Sequence, residues 1–429
     1  VHESARPIVV GRQFPVDEIR RQFPSLERVR PFVFFDNAAG AQIPSAVLEA
    51  VTDHLLLRNV QRGGPYRQSR EVDAMIARAR ACAADLVHAW SPDEIAFGLN
   101  ATSFIRAISL AIGQTIAAGR AQVVVSELDH EANIATWLGL ERFGARIAWW
   151  RTRDDGRLHA SDLESLLTRE TRVVACAMAS NATGSRVDVA AASTLAHAAG
   201  AEMFVDAVHF APHGPIDVRT IGCDYLVCSG YKMFAPHMGF AWCRREAINA
   251  LPTFREHFIP DRTPDKLEAG TYVYENVAGL EAAIEYLEQL GRRVGFTGGA
   301  PVAGSRRDAL ESAMNAIAGY EQTLSRALIE EIGGLARVGI HGITSRDRLN
   351  ERVPTLAFTV DGVSPGRIAD GLAARNVGVR SGHMYSPRLL GRLGLSDGVV
   401  RASLVHYNTV EEIQQFRDAL NAVIGENTE

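Results

Sequence analysis

Apolar positions along the chain change their rhythm once. Between about residues 95 and 245, short apolar runs alternate with stretches whose apolar residues recur every three or four positions, the mark of strands and helices interleaved in a mostly parallel sheet. The runs predict strands at Ile95–Gly98, Gln122–Ser126, Arg146–Trp150, Arg172–Ala177, Glu202–Val205, Asp224–Cys228 and Gly239–Arg244. Thr102–Ala118 places Phe104, Ile105, Ile108 and Ile112 on one helical face, and Val189–Ala199 reads as a shorter helix. Glu275–Leu290 predicts another helix, and the Gly-, Pro- and Ser-rich residues 294–305 predict a loop. Beyond it, a long helix at Arg307–Ile332 precedes segments at Val353–Val360, Pro365–Arg375, Val399–Leu404 and Val410–Val423, an α+β alternation. The predicted class is α/β. A large domain over 36–300 holds a mostly parallel seven-stranded sheet, and residues 1–35 and 301–429 form a small α+β domain, as the length of 429 residues leads one to expect.

Composition narrows the partners. A balance of 47% apolar and 22% charged residues is that of a chain able to bury a large core. The net charge of -5 and the lack of any long Lys/Arg run argue against nucleic acid. No apolar run reaches the length of a membrane span. Near the amino end, Glu3, Arg6 and Arg12 surround only Ile8-Val9-Val10, so no secretion signal is expected. The cysteines Cys82, Cys176, Cys223, Cys228 and Cys243 are odd in number and form no CxxC pair, which predicts free thiols in a reducing cytoplasm.

Candidate chemistry gathers just after the predicted strands, where open α/β sheets bind ligands. Four strand ends carry unusual polar residues: Asp206-Ala-Val-His209, Ser229-Gly-Tyr-Lys232, Asp129-His130-Glu-Ala-Asn133 and Ser180-Asn181-Ala-Thr183. Singly, each has a plainer reading, because a loop lysine is most often a solvated charge and an aspartate after a strand most often caps a helix. Together they supply what pyridoxal phosphate requires. A lysine amine in a dry pocket condenses with the aldehyde, and a carboxylate keeps the pyridine nitrogen protonated. Lys232 and Asp206 suit those roles. Gly98-Leu-Asn100-Ala101-Thr102-Ser103 opens a helix after a strand, so its backbone N–H groups suit a phosphate, a role compatible with simple capping by Asn100 or Thr102.

These segments resemble the class V aminotransferase and cysteine desulfurase family of fold-type-I pyridoxal-phosphate enzymes. The likeness runs from Phe35-Asp-Asn-Ala-Ala39 to Arg401-Ala-Ser-Leu-Val-His-Tyr-Asn-Thr409. It includes Asp129-His-Glu-Ala-Asn-Ile134, Ser180-Asn-Ala-Thr-Gly184, Val205-Asp-Ala-Val-His209, Ser229-Gly-Tyr-Lys232 and Glu268-Ala-Gly-Thr271. It implies a Schiff base on Lys232, Asp206 against the pyridine nitrogen, His130 stacked on the ring, and Asn181 on the cofactor's phenolic side. His209 stands where desulfurases have glutamine and faces a cofactor oxygen. Asn100, Ala101, Thr102, Ser229 and Tyr231 surround the phosphate. Thr271 reaches the phosphate of a neighbouring subunit, so a homodimer with shared sites is implied. Arg401 grips the carboxylate of a small amino-acid substrate, with Arg380 assisting.

One position departs from the desulfurases. Five residues after Arg380, where they carry the cysteine that accepts sulfur, this chain has Tyr385. A phenol does not replace a thiolate acceptor. The expectation is β-elimination of sulfur or selenium without a persulfide, with transamination or epimerisation as alternatives and a non-catalytic cofactor-binding protein as the rival from another class. Tyr385 and His383 are placed at the substrate mouth. No GxGxxG turn supports a dehydrogenase, and His209 with His213 lacks a third ligand for a metal.

Overall fold

The computed structural model describes residues 14–116, 119–295 and 304–427. The Ile8-Val9-Val10 patch and most of the predicted 294–305 loop lie outside the described residues. One sheet contains seven strands: β1 (Ile95–Gly98), β2 (Gln122–Ser126), β3 (Arg146–Trp150), β4 (Thr171–Ala177), β5 (Glu202–Asp206), β6 (Tyr225–Ser229) and β7 (Gly239–Cys243). Their order is β1-β7-β6-β5-β4-β2-β3, parallel throughout except for β7, which runs antiparallel to both neighbours.

The strands are apolar at nearly every position because both faces are covered. Alternate residues divide between two cores: Val124, Val174, Val205 and Leu226 pack on one side, and Val123, Val125, Val173, Phe204 and Val227 on the other. The helix Ala101–Ile116 lies on the second face and buries Phe104, Ile105, Ile108 and Ile112, the stripe expected from the sequence.

A second sheet is antiparallel, with β8 (Val338–His341), β9 (Thr355–Val360), β10 (Arg380–Gly382) and β11 (Val399–Ser403) in the order β10-β11-β9-β8. Val33–Phe34 pairs in parallel with Val377–Gly378, and Val33 and Phe35 join this unit's core. Ile19, Phe23 and Leu26 instead pack into the core of the large sheet. The helix Arg306–Gly333 opens with a Ser305–Asp308 capping box and touches both cores, with Leu310, Met314 and Ile317 in one and Leu324, Leu328 and Ile332 in the other.

Two long helices, Ser45–Leu57 and Arg67–Val87, escaped the hydrophobic pattern. The first exposes Leu55, Leu56 and Leu57 while burying Val47 and His54. The second buries much of its face with Ser69, Ala79, Arg80, Cys82, Ala83 and Ala84, whose apolar signal is weak. Among the described residues, no helix is long and apolar enough to cross a membrane.

Candidate active site

The carboxyl ends of β4, β5 and β6 and the start of helix Ala101–Ile116 surround one cavity. Lys232 lies on its wall, in the tight turn Gly230–Lys232 that follows β6. The turn is fixed by Gly230 N–H donating to Met238 O and Met233 N–H donating to Gly230 O. A Cβ on Gly230 would stand 2.6 Å from Pro236 O. Burial, helped by Arg401 and opposed by Asp206 and Asp36, lowers the Lys232 amine to about 8, so a useful fraction is neutral and nucleophilic near neutral pH. Lys232 has one rival. The chain's other lysine, Lys266, is bound to Leu251 O at 2.9 Å and Asp261 Oδ1 at 2.9 Å.

Asp206 ends β5 inside the same cavity and accepts a hydrogen bond from Val208 N–H at 2.9 Å. Burial pushes its carboxyl upward, while that bond and Lys232 pull it down. His130 lines the cavity beside Asp129, which is wholly buried. Asp129 accepts from Asn133 Nδ2 at 2.6 Å, from Ala177 N–H at 2.9 Å and from the Ser126 hydroxyl. It thereby ties the ends of β2 and β4 to the helix Ala132–Leu138. His130 Nδ1 accepts from Ala132 N–H at 3.0 Å, which leaves the ring proton on Nε2. Burial, Lys232 and Arg401 hold this imidazole down at about 4, so it is neutral.

His209 is also buried and neutral, its protonation suppressed first by burial and then by Lys232. Its Nε2 lies 3.1 Å from Thr355 Oγ1 on β9, and its buried Nδ1 has no partner among the described residues. Asn100 does cap the helix: its Oδ1 accepts from Ser103 N–H at 2.9 Å. Ala101 and Thr102 line the cavity at the helix start, where backbone N–H groups lack intrahelical partners. A Cβ at Gly239 would collide with the Asn100 carbonyl carbon and stand 2.7 Å from Ala101 N, so glycine on β7 lets this turn approach. Ser229 and Tyr231 complete the wall, with the Tyr231 ring stacked on His237 at 5.1 Å.

A mouth adjoins the cavity, sharing His130, Asn181, Tyr231 and Lys232 and adding Ala38, Ala39, Arg380, Tyr385 and Arg401. Asn181 turns its side chain toward the loop, donating to Met384 O at 2.6 Å and accepting from Ser386 Oγ at 3.1 Å. Its carbonyl accepts from Arg401 Nη1 at 2.9 Å. Met384 and Tyr385 both have left-handed backbones, with φ of 54° and 56°. Tyr385 O accepts from Glu131 N–H at 2.7 Å, and its ring stands 5.2 Å from His130.

Two expected residues line neither space. Thr271 is exposed and takes a bond from Gln61 Nε2 at 2.6 Å, and His383 is exposed, its Nδ1 accepting from Tyr385 N–H. Two others escaped sequence reasoning, Thr355 and Asp36. Asp36 bridges Arg380 and Arg401. The Phe35-Asp-Asn-Ala-Ala39 motif contains it but does not reveal the bridge. All five cysteines are buried and none lines cavity or mouth. Among the described residues, no trio of His, Cys, Asp or Glu could hold a metal ion.

A buried amine, a buried carboxylate, an imidazole nitrogen without a partner among the described residues and a helix start fit a cofactor that bears an aldehyde, a ring nitrogen, a ring oxygen and a phosphate. Comparison with known proteins agrees. The family model described as aminotransferase class-V matches residues 33–294 and 307–416. An aminotransferase-like protein of Gibberella zeae is 36% identical over 96% of this chain and 99% of its own. A probable cysteine desulfurase of Synechocystis is 31% identical over 95% of each. Among solved structures, cysteine desulfurases of Thermococcus onnurineus (TM-score 0.84, 25% identity, 97% of this chain and 99% of that one) and Escherichia coli (0.81, 26%, 97% and 100%) are similar.

Proposed function

From the premise that this chain belongs to the aminotransferase class-V family and is a pyridoxal 5'-phosphate enzyme, we propose that it catalyses β-elimination from a small amino acid bearing sulfur or selenium on Cβ. Lys232, Asp206, His130 and His209 would hold the cofactor's ring, and Asn100, Ala101, Thr102, Ser229 and Tyr231 its phosphate. Bound there, it supplies an electron sink that acidifies the substrate Cα–H.

The chain's own residues do the rest. Arg401, with Arg380 beside it, binds the substrate carboxylate through a planar fork suited to that shape. The buried Lys232 amine, lowered to about 8, takes the Cα proton. Asp206 would supply a buried negative charge for the ring nitrogen. The Cα–H and Cβ–S bonds break, the proton that Lys232 took passes to the sulfur, which leaves as a thiol or hydrogen sulfide, and the aminoacrylate released takes up water to give pyruvate and ammonium. Tyr385 and neutral His130 border the mouth through which the leaving group departs.

The observation that carries this reading is the absence of any cysteine from cavity and mouth, with Tyr385 fixed over His130. A persulfide relay needs a thiolate within reach of the substrate sulfur. The aminotransferase-like relative favours transamination as the second reading. Incubating the holoenzyme with cysteine, cystine, selenocysteine and a set of keto acids separates the two. Pyruvate formed in step with sulfide or selenide supports elimination. Alanine with an enzyme-bound persulfide, amino transfer to a keto acid, or α-proton exchange without net product would each replace it.

The quaternary proposal is a homodimer in which Thr271 serves the neighbour's phosphate. Its support is that Thr271 is exposed and lies outside its own chain's cavity. Five buried free thiols suit a reducing cytoplasm.

A further inference from the structure

Arg380 and Arg401 stand directly opposite each other across β10 and β11. Like charges so placed repel. Arg401 is almost wholly buried, with 3% of its side chain exposed, against 42% for Arg380. The stretch before Asn37 runs beside β11 through a backbone bridge between Asp36 and Ser403, and this sets the Asp36 carboxylate against both guanidiniums. Oδ1 lies 2.9 Å from Arg401 Nη2, and Oδ2 lies 2.8 Å from Arg380 Nη2 and 3.0 Å from its Nε.

Asp36 does not line the mouth. It borders a separate depression with Phe32, Phe34 and Gly378, on which Arg380 also opens. Arg401 spends Nη1 on Asn181 O, while its buried Nε has no partner among the described residues. One guanidinium is thus almost out of water, neutralised on one side and still holding a free donor. Such a donor is costly unless a ligand meets it.

We infer that Asp36 determines substrate specificity: it clamps Arg380 and Arg401 together and cancels one of their two charges, so the mouth takes amino acids with one carboxylate and a neutral side chain. The inference rests on the proposed reading of the two arginines as the carboxylate grip. One entering carboxylate balances the single remaining positive charge. A second finds no counter-charge to offset its desolvation. Of the other residues lining the mouth, His130 is neutral and adds none, and Lys232 would be joined to the cofactor. With Asp36 uncharged, the half-exposed Arg380 is released and two charges face the mouth.

The test uses butanoate and succinate, ligands of equal length with one and two carboxylates. Each is titrated into holoenzyme, and binding is read from the perturbed visible absorption of the cofactor. Wild type is expected to prefer butanoate. In Asp36→Asn the ratio of succinate to butanoate dissociation constants falls by about tenfold, the scale of one charge-assisted contact. Asp36→Glu keeps the charge and keeps the preference. Arg380→Gln leaves Asp36 against a single cation and weakens butanoate by about tenfold, a reading that does not depend on the folding of Asp36→Asn. An unchanged ratio in Asp36→Asn overturns the inference and leaves the arginine reading intact, whereas unchanged butanoate binding in Arg380→Gln overturns the inference and removes Arg380 from the grip. Failure of wild type to bind butanoate, or binding that survives Arg401→Ala, overturns that reading and the inference with it.

Discussion

A neutral imidazole has one N–H to share between two ring nitrogens. At His209 the choice falls to Thr355, because its hydroxyl is the partner of Nε2 and Nδ1 has none among the described residues. If the hydroxyl donates, the proton sits on Nδ1 and a cofactor oxygen in the cavity meets a donor. Thr355→Val removes that control and leaves a buried ring nitrogen unpaired, at a cost of about 1–3 kcal/mol. The pH midpoint of the holoenzyme's visible absorption is expected to shift in Thr355→Val and to return in Thr355→Ser. Identical titrations for all three proteins would show that Thr355 has no such role. Residues of this kind were not legible in the sequence. Lys232, Asp206, His130 and His209 follow strands directly, so a strand prediction brings them together. Thr355 and Asp36 act on partners 146 and 365 positions away, a relation only the folded chain creates.

At the scale of elements, Asp129 joins two strands and a helix through three donors. Burial pushes its carboxyl up to about 7, against those hydrogen bonds and with some help from Asp206. An unfolded aspartate titrates near about 3.9. The folded pKa is therefore the higher one. The stability this group contributes is fully present below about pH 4 and is lost as pH rises through about 7. Asparagine does not titrate. The melting temperature of wild type minus that of Asp129→Asn should accordingly decline across that window, and a difference that stays level would contradict the assignment. The strands that this residue ties were legible because sheets covered on both faces demand unbroken apolar runs. The edge strand β8, half-exposed along its length, and the helix Arg67–Val87, packed through small residues, carried no comparable signal.

At the scale of the whole molecule, the chain keeps apolar groups in water: Leu56, Phe254 and Phe258 are 75%, 104% and 81% exposed. Such groups suit an interface. Light scattering of the holoenzyme is expected to give twice the chain mass, and Thr271→Ala to weaken cofactor retention by about tenfold, the loss of one good hydrogen bond to a phosphate. A monomer that holds its cofactor fully would rule out the shared site.

The seven strands of the large sheet were readable from the apolar rhythm, whereas the antiparallel pairing of the second sheet was not. Nor was the amino-terminal crossing. Ile19 and Phe23 pack with one core while Val33 and Phe35 pack with the other, and nothing in their local pattern distinguishes the two.

The central claim is that Lys232 carries the cofactor, and only one other lysine exists to dispute it. Borohydride reduction of the holoenzyme, followed by digestion and mass spectrometry, should place a single pyridoxyl group on the peptide containing Lys232. Lys232→Ala should show neither that adduct nor turnover. A pyridoxyl group on Lys266, or a Lys232→Ala protein that still holds the cofactor covalently and works, would contradict the account.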